Sequence, residues 1–167
     1  GGAKSVLSIE ANTRAYLKCL IAKEIMGLQR VKFLCGDFME FLRHSTRRFD
    51  FILCSGVLYH QREPVELIHR LAKITDRMLV WTHYFDEQII RTLPHLVDNF
   101  QVTMHSEYEG FAHMLHRQEY KQAIANPAFC GAGCTYSYWM QRQDVLDACK
   151  HAGFTSVKVL QEDPHFV

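Results

Sequence analysis

Short apolar runs and amphipathic segments alternate along the first half of the chain. Four runs are rich in apolar side chains, and the segments that follow three of them repeat their apolar positions at helical spacing. The predicted strands are Ser5–Ile9, Val31–Cys35, Phe49–Cys54 and Met78–Thr82, and the predicted helices are Thr13–Gly27, Met39–His44 and Pro64 to about Thr75. This alternation predicts right-handed βαβ units and a parallel sheet.

The second half of the chain has a less regular pattern. Asp86 to about Val97 and Gln141–His151 carry helical periodicity. Gln101–Tyr120 has no clean period, although part of it alternates like an edge strand. Asn126–Tyr138 contains proline and glycine and is predicted to be a loop or lid. Thr155–Leu160 is predicted to be a last strand.

The stretch from Phe49 to His60 is the centre of the predicted fold. Phe49–Cys54 is almost continuously apolar, which predicts a strand buried on both faces of a parallel sheet. Ser55 and Gly56 end the run, and Tyr59 and His60 follow before the next helix. Ligands bind beyond the carboxyl ends of strands in open α/β sheets, so this loop is placed where chemistry is expected. An ordinary strand–turn–helix with two incidental aromatic residues fits the pattern equally well.

Two acidic residues follow the first two predicted strands. Glu10 ends the first strand, and Asp37 ends the second, next to Phe38. A carboxylate after such a strand can accept both hydrogen bonds of a ribose diol, and a second one can accept a hydrogen bond from an exocyclic amine. Together with the Gly56 turn, these acids predict that an adenosine-type ligand lies across one edge of the sheet.

The composition is that of a globular domain of ordinary size. The 167 residues are 48% hydrophobic and 22% charged, with a net charge of +1. A near-neutral chain lacks the basic surface typical of nucleic-acid-binding domains, so we expect no DNA partner. No apolar run approaches the roughly 20 residues of a membrane span, so no membrane association is expected. The six cysteines form no disulfide framework in the sequence, which predicts a cytoplasmic location.

Two short patterns contain residues that can bind metals. Cys130 and Cys134 are separated by three residues, and His113 and His116 could share one face of a helix. A structural zinc site needs four ligands brought together, and neither pair has a second pair at the usual spacing. Loop cysteines and surface histidines are the simpler interpretation, so no metal site is predicted.

Several of these segments resemble class I S-adenosylmethionine-dependent methyltransferases. The resemblance is carried by Val6–Glu10, Phe33–Phe38, Phe49–His60 and Ala152–Phe154, and it covers roughly residues 1–85 and 139–162. The Gly-Val-Leu-Tyr-His sequence at 56–60 is similar to a branch that includes enzymes acting on the wobble uridine of tRNA. The resemblance implies a Rossmann-like α/β fold, S-adenosylmethionine as cofactor, and a small-molecule or RNA-base methyl acceptor.

The resemblance also implies roles for individual residues. The cofactor would be bound by Glu10 at the ribose, by Asp37 and Phe38 at the adenine, and by Ser55, Gly56 and Val57 at the methionine portion. His60 and His83 are the candidates for a catalytic base, because both follow strands at the binding edge and imidazole titrates in the useful range. Of the two, His60 is predicted to be catalytic. The predicted substrate-binding residues are Tyr59, His83, Tyr84 and Trp139, whereas Trp81 is expected in the core. Neutral histidines that only hydrogen-bond for structure remain an alternative.

The chain departs from the family pattern at both ends. The family has a first strand and a glycine-rich turn before the segment with which this sequence begins, and a last antiparallel strand that is not found after Phe166. We therefore expect a single methyltransferase-like domain, truncated at the N-terminus and at the C-terminus. In this domain, residues 1–85 would bind the cofactor, 86–138 would form a cap, and 139–167 would supply a helix and a strand.

Two other functions are compatible with parts of the pattern. A non-catalytic methyltransferase-like scaffold is favoured by the missing glycine-rich turn. A nicotinamide-dependent oxidoreductase would share the βα units and the ribose acid, but the sequence has no Gly-x-Gly-x-x-Gly. Transfer of a methyl group therefore remains the leading hypothesis.

Overall fold

The computed structural model describes residues 2–126 and 134–163. The strands are β1 Val6–Glu10, β2 Val31–Cys35, β3 Ile52–Ser55, β4 Met78–Trp81, β5 Val102–Tyr108, β6 Phe111–Glu119 and β7 Tyr136–Trp139. The helices are α1 Thr13–Ile25, α2 Phe38–His44, α3 Pro64–Ile74, α4 Glu87–Thr92, α5 Pro94–Val97 and α6 Arg142–His151, with 3₁₀ turns at Leu58–His60 and Lys121–Ala125. The chain divides after Ser45 into two compact units, which are described separately below.

The first unit is a βαβα segment with one parallel ladder. β1 and β2 pair in parallel from Val6 opposite Val31 to Glu10 opposite Cys35. Asn12 caps α1, because its side chain accepts hydrogen bonds from the backbone N–H groups of Arg14 and Ala15. The apolar side of α1 is not buried among the described residues, and α2 supplies the buried side chains of this unit, Met39 and Leu42.

The second unit has its core around α3. β3 and β4 pair in parallel, and α3 packs against α6. Pro64 occupies the first turn of α3, where a missing backbone N–H costs nothing. Val65, Leu67 and Ile68 are each 1% exposed. The apolar spacing that predicted this helix therefore describes its buried face.

The prediction that the β3 strand is buried on both faces is wrong. Cys54 is 5% exposed, but Phe51 and Leu53 are 55% and 62% exposed. Side chains of a strand point alternately to opposite faces, and only the Cys54 side is covered. On β4, Leu79 and Trp81 are also exposed, at 39% and 45%, so Trp81 does not lie in the core as predicted.

The strands β5, β6 and β7 form an antiparallel sheet in the order β5-β6-β7. Gln101–Tyr120, where the sequence suggested at most an edge strand, contains a long hairpin that turns at Glu109 and Gly110, both with positive φ. The predicted loop Asn126–Tyr138 ends in a strand instead, because Tyr136–Trp139 pairs with β6. The described part of the chain thus contains two parallel ladders of two strands and one antiparallel sheet, rather than a mostly parallel sheet.

Two other predicted elements differ from the structure. The helix expected over Asp86–Val97 is divided at Leu93, because Pro94 starts a new short helix. Thr155–Leu160 is described but forms no ladder with any described strand. Its apolar spacing satisfies the strand pattern, but a strand also needs a neighbour to take up its backbone groups.

The predicted lid and metal patterns are only partly described. Residues 127–133, including Cys130, lie outside the described residues. His113 and His116 lie on β6 rather than on a helix, and within residues 2–126 and 134–163 no three metal-binding side chains come together. Among the helices that the structure describes, none combines the length and apolar character required to span a bilayer.

Candidate active site

The turn after β3 is built around Gly56. Its φ is +68°, a conformation that glycine adopts without the steric penalty of other residues. The backbone N–H of Gly56 donates a hydrogen bond to the carbonyl of Trp81 at 2.9 Å, which continues the ladder by one residue beyond Ser55. The chain then turns through Val57 into the 3₁₀ turn that carries Tyr59 and His60.

Tyr59 lies at the centre of an aromatic cluster at the carboxyl ends of β3 and β4. Its ring centroid lies 4.2 Å from His60, 4.5 Å from His83 and 5.9 Å from Trp139. His83 stacks on Trp139 with centroids 5.2 Å apart and planes 7° from parallel. The structure therefore brings together four of the predicted acceptor-site residues, which come from three separate segments of the chain.

Trp139 supports this cluster from the core side. It is 3% exposed and packs with Ile90 and Leu96. Its indole Nε1 is buried and has no hydrogen-bond partner among the described residues. A buried indole N–H normally has a partner, so this unsatisfied donor is unusual for a residue of the core.

Tyr84, also predicted to bind substrate, makes a different contact. Its hydroxyl donates a hydrogen bond to Glu162 Oε1 at 2.8 Å. Glu162 also pairs with Arg142 at 2.6 Å. The pKa of Tyr84 is raised to about 12, first by burial and next by the hydrogen bond to Glu162. The Tyr84 hydroxyl therefore links the segment after β4 to the residues after α6.

His60 contacts the side chain of Tyr120, a residue that the sequence pattern did not single out. Its Nδ1 lies 2.7 Å from the hydroxyl oxygen of Tyr120. Burial, and to a smaller extent the nearby His83, lowers the pKa of His60 to about 4. The imidazole is therefore neutral at physiological pH. A neutral imidazole can accept a proton or a hydrogen bond at one nitrogen, as the predicted role requires.

The aromatic cluster encloses little empty space. The recess lined by Leu58, Tyr59, Pro64, Thr82, His83, Tyr138, Met140 and Val145 has a cavity volume of about 0 Å³. Small-molecule pockets usually measure about 300 Å³ or more, so this recess by itself does not hold a ligand. A cleft with a cavity volume of about 380 Å³ is lined by Arg48, Phe49, Asp50, Asp76 and Arg77 at the amino ends of β3 and β4, where the predicted residues do not lie.

In the first unit, Glu10 and Asp37 lie at the carboxyl ends of two neighbouring parallel strands. The backbone N–H of Gly36 donates to the carbonyl of Glu10 at 3.1 Å. Glu10 Oε1 accepts a hydrogen bond from Asn12 N–H, and Asp37 Oδ1 accepts one from Met39 N–H, both at 2.7 Å. A carboxylate can accept about four hydrogen bonds. Each acid is therefore oriented by the backbone and retains the capacity to bind a ligand, as a ribose or an amine requires.

The remaining predicted residues flank these features. Phe38 begins α2 directly after Asp37 and is half-buried. Ser55 is the last residue of β3 and is exposed, and Val57 is half-buried. The sequence missed Tyr120, whose hydroxyl contacts His60. Tyr120 is far from His60 in the chain, and no local pattern marks it.

Comparisons with solved structures agree on the fold. The N-terminal domain of EvdMO1, crystallised in the presence of SAH and D-fucose, superposes with a TM-score of 0.69 at 20% identity, covering 97% of this chain and 71% of that chain. The same domain with SAH bound gives the same TM-score and covers 69% of that chain. A structure of EvdMO1 gives 0.58 and covers 34% of that chain. No family model and no curated protein sequence matches. The chain therefore shares the Rossmann-like α/β fold of the EvdMO1 N-terminal domain.

Proposed function

We propose that the chain forms part of an S-adenosylmethionine-dependent methyltransferase that acts on a small-molecule or RNA-base acceptor. The observation that carries the proposal is the Gly56 turn, which presents Tyr59 and His60 beside His83 at the carboxyl ends of β3 and β4. In α/β folds this edge is where ligands bind. The related fold of the EvdMO1 N-terminal domain, crystallised with SAH, supports S-adenosylmethionine as the cofactor.

The residues proposed to hold the cofactor offer the appropriate chemistry. We assign Glu10 to the ribose hydroxyls, Asp37 and Phe38 to the adenine, and Ser55, Gly56 and Val57 to the methionine portion. The carboxylates of Glu10 and Asp37 accept hydrogen bonds in fixed orientations. Gly56 has no side chain, so its backbone permits a close approach. These features support the assignment.

When bound, S-adenosylmethionine supplies an activated methyl group. The protein then has to hold the acceptor in line with that methyl group and keep water away. We assign these tasks to Tyr59 and His83, with Trp139 behind His83 and Tyr84 at the margin. His60 would accept the proton of an acceptor hydroxyl or amine as the nucleophile forms its new bond. Its imidazole is neutral at physiological pH, and its lowered pKa makes it a weak base, so most of the rate would come from holding the acceptor in line with the methyl group.

The class of methyl acceptor and the cellular location are proposed from less specific observations. D-fucose was present in crystals of the EvdMO1 domain, which favours a small hydroxylated molecule over an RNA base. The net charge of +1 also favours a small molecule, because RNA binding draws on positive charge. We propose a cytoplasmic location because the described cysteines are free thiols. We also propose that the chain belongs to a longer domain, since it covers 71% of the EvdMO1 domain.

Calorimetry with S-adenosylhomocysteine tests the proposal. Glu10→Gln and Asp37→Asn keep the local backbone hydrogen bonds but remove the charges, and Asn remains a good helix cap. Since charge-assisted hydrogen bonds contribute about 1.5–3 kcal/mol, each variant should raise Kd by about tenfold or more. Asp50→Asn, at the amino end of β3, is the matched control and should leave Kd unchanged. Unchanged affinity in both test variants would remove the assignment.

A non-catalytic scaffold is the second candidate. It is favoured by the exposed apolar face of β3 and β4, formed by Phe51, Leu53, Leu79 and Trp81. Such a face is typical of protein-binding surfaces. If the unmodified chain does not bind S-adenosylhomocysteine in the same calorimetric experiment, the scaffold becomes the better hypothesis.

A further inference from the structure

Two imidazole rings and a carboxylate connect three elements of the second unit. His69 on α3 is 5% exposed. Its Nδ1 lies 3.2 Å from Oε2 of Glu109, at the turn between β5 and β6. Its Nε2 lies 3.2 Å from Nδ1 of His151, the last residue of α6. Each ring nitrogen of His69 therefore contacts a different element, and this one side chain links the hairpin turn and α6 to α3.

The carboxylate gives these contacts a direction. The pKa of Glu109 is lowered, first by the hydrogen bond from Lys73 and next by that from His69, so Glu109 is ionised near neutral pH. An ionised carboxylate only accepts hydrogen bonds, so His69 donates its Nδ1–H to Glu109. Burial is the largest cause that lowers the pKa of His69, and its neutral ring keeps a lone pair on Nε2. The Nδ1–H of His151 then donates to that lone pair.

The backbone of Glu109 is strained at the point where its side chain makes these contacts. Its φ is +48°, in the left-handed region that residues with a side chain rarely adopt. Such a conformation persists where surrounding contacts hold it. Here Glu109 accepts hydrogen bonds from His69 and, at 3.2 Å, from Lys73 Nζ. The turn is therefore fastened to α3 by the side chain of a residue whose backbone would suit glycine.

The contact between the two rings accommodates one added proton but not two. One added proton leaves one donor and one acceptor between His69 Nε2 and His151 Nδ1, whichever ring takes it. The hydrogen bond then becomes charge-assisted and stronger. A second proton would place two N–H donors and two cations opposite each other across 3.2 Å. Two donors form no hydrogen bond and like charges repel, so the rings have to separate.

We propose that His69, Glu109 and His151 form an acid-opened latch: it holds the end of α6 and the β5–β6 turn to α3, and it releases α6 when both imidazoles are protonated. The titratable and charged groups that face His69 among the described residues are Lys73 on α3, Tyr108 and Glu109 at the turn, and His151 on α6. Glu109 already balances the charge of Lys73, so it cannot also neutralise two imidazolium rings.

The direction of the pH dependence follows from the burial of His69. An exposed histidine has a pKa of about 6.5, and the pKa of His69 in the closed latch is lower. Above about pH 6.5 the latch is closed. As the pH falls below this value, the open form binds a proton that the closed form excludes. One such proton increases the open population by up to about tenfold per pH unit.

Hydrogen exchange of the backbone amides, followed by NMR on the whole chain between about pH 7.5 and pH 4.5, tests the latch. The amides in the last turn of α6 should lose protection by about tenfold or more over this range. The amides of the β6–β7 ladder report the stability of the sheet and should lose less. If protection of the α6 end did not change, or fell only as much as that of the ladder, the proposal would be overturned.

His151→Gln separates the latch from other effects of acid. A glutamine side chain offers both a donor and an acceptor, so it can bond to His69 Nε2 whether or not that ring is protonated. His151 is exposed, so the variant should fold, and its α6 end should keep protection at low pH. His105→Gln, at an exposed position of β5, is the matched control and should retain the full loss. An equal loss in the unmodified chain and in His151→Gln would refute the latch.

The tautomer of His69 provides an independent measurement. Long-range ¹⁵N–¹H correlation NMR near neutral pH should find the proton of His69 on Nδ1. The signal is assigned by its loss in His69→Gln, whose amide can donate to Glu109 and accept from His151 as the neutral ring does. A proton on Nε2 would mean that Glu109 does not accept from His69, and the latch would be wrong. Both measurements are made without cofactor, so their outcome is separate from whether the chain binds S-adenosylhomocysteine.

Discussion

Gly56 determines how the loop after β3 leaves the sheet. The sequence predicted a break here because the apolar run ends at Ser55 and Gly56. The structure adds the reason for glycine, which is a φ of +68°. A Cβ at this position would lie 3.6 Å from the Trp81 ring and 3.8 Å from the Tyr59 hydroxyl, which are ordinary contacts. The backbone conformation, and not crowding, is therefore the constraint.

Gly56→Ala should lower the free energy of unfolding by about 1–2 kcal/mol, the cost of a left-handed conformation for an L-residue. Denaturant unfolding measures the change. Gly110→Ala, where φ is +84° and no atom lies within 4 Å of the new Cβ, should cost a similar amount. Gly2→Ala should cost nothing. A much larger loss for Gly56 than for Gly110 would show that crowding dominates.

His60 should make stability depend on pH. Its pKa is about 4 in the folded chain and about 6.5 in the unfolded chain. Above pH 6.5 both states are neutral and the stability is complete. As the pH falls from 6.5 towards 4, only the unfolded state binds the proton, so the free energy of unfolding decreases. One proton gives a slope of at most about 1.4 kcal/mol per pH unit, and the total loss is smaller than the full pKa shift implies, because His60 is only half-buried.

The measurement compares urea unfolding of the unmodified chain and His60→Gln between pH 7 and pH 4. Two buried histidines, His69 and His116, also have lowered pKa values and contribute equally to both proteins. The variant should therefore lose stability less steeply. His105→Gln, on an exposed position of β5, should keep the full slope. Equal slopes in the unmodified chain and His60→Gln would contradict the folded-state pKa.

At the scale of elements, local signals were predictable and burial was not. Asn12 and Pro64 mark helix starts through hydrogen bonding and backbone geometry, which act within a few residues. The β3 run gave the correct strand but the wrong burial. An apolar run shows that a strand face is suited to burial. Whether the face is buried depends on whether another layer of the fold packs against it. Apolar Leu53 is therefore exposed while Cys54 is buried.

In the candidate site, too, the features that depend on neighbouring residues were predictable, and those that depend on distant segments were not. The sequence could place Tyr59 and His60 after β3, because strand ends in α/β folds are known binding positions. It could not find Tyr120, which lies 60 residues from His60 in the chain. That contact depends on the antiparallel sheet, whose strands were largely missed. A hydrogen bond between distant segments leaves no period or spacing in the sequence.

At the scale of the molecule, the exposed face of β3 and β4 is the main departure from a typical parallel sheet. Parallel strands are almost always covered on both faces. Here Leu53 on β3 lies opposite Leu79 on β4, Trp81 follows two residues later on β4, and Phe51 directly precedes β3. Each is between 39% and 62% exposed. A contiguous patch of this kind favours association, whether with a covering segment, with another protein or with a second copy.

In isolation, the chain should therefore self-associate through this face as its concentration rises. Sedimentation velocity should show a mass above 19.5 kDa that increases with concentration. Leu53→Lys places a charge at the most exposed position of the patch. Because burial of a leucine contributes about 1.5–3 kcal/mol, the association should shift to at least about tenfold higher concentration. Leu160→Lys is the control, since Leu160 is 77% exposed but lies outside the strands. If both variants changed the association equally, this face would not be its cause. If the chain remained monomeric at all concentrations, the exposed apolar area on these strands would be tolerated without a partner.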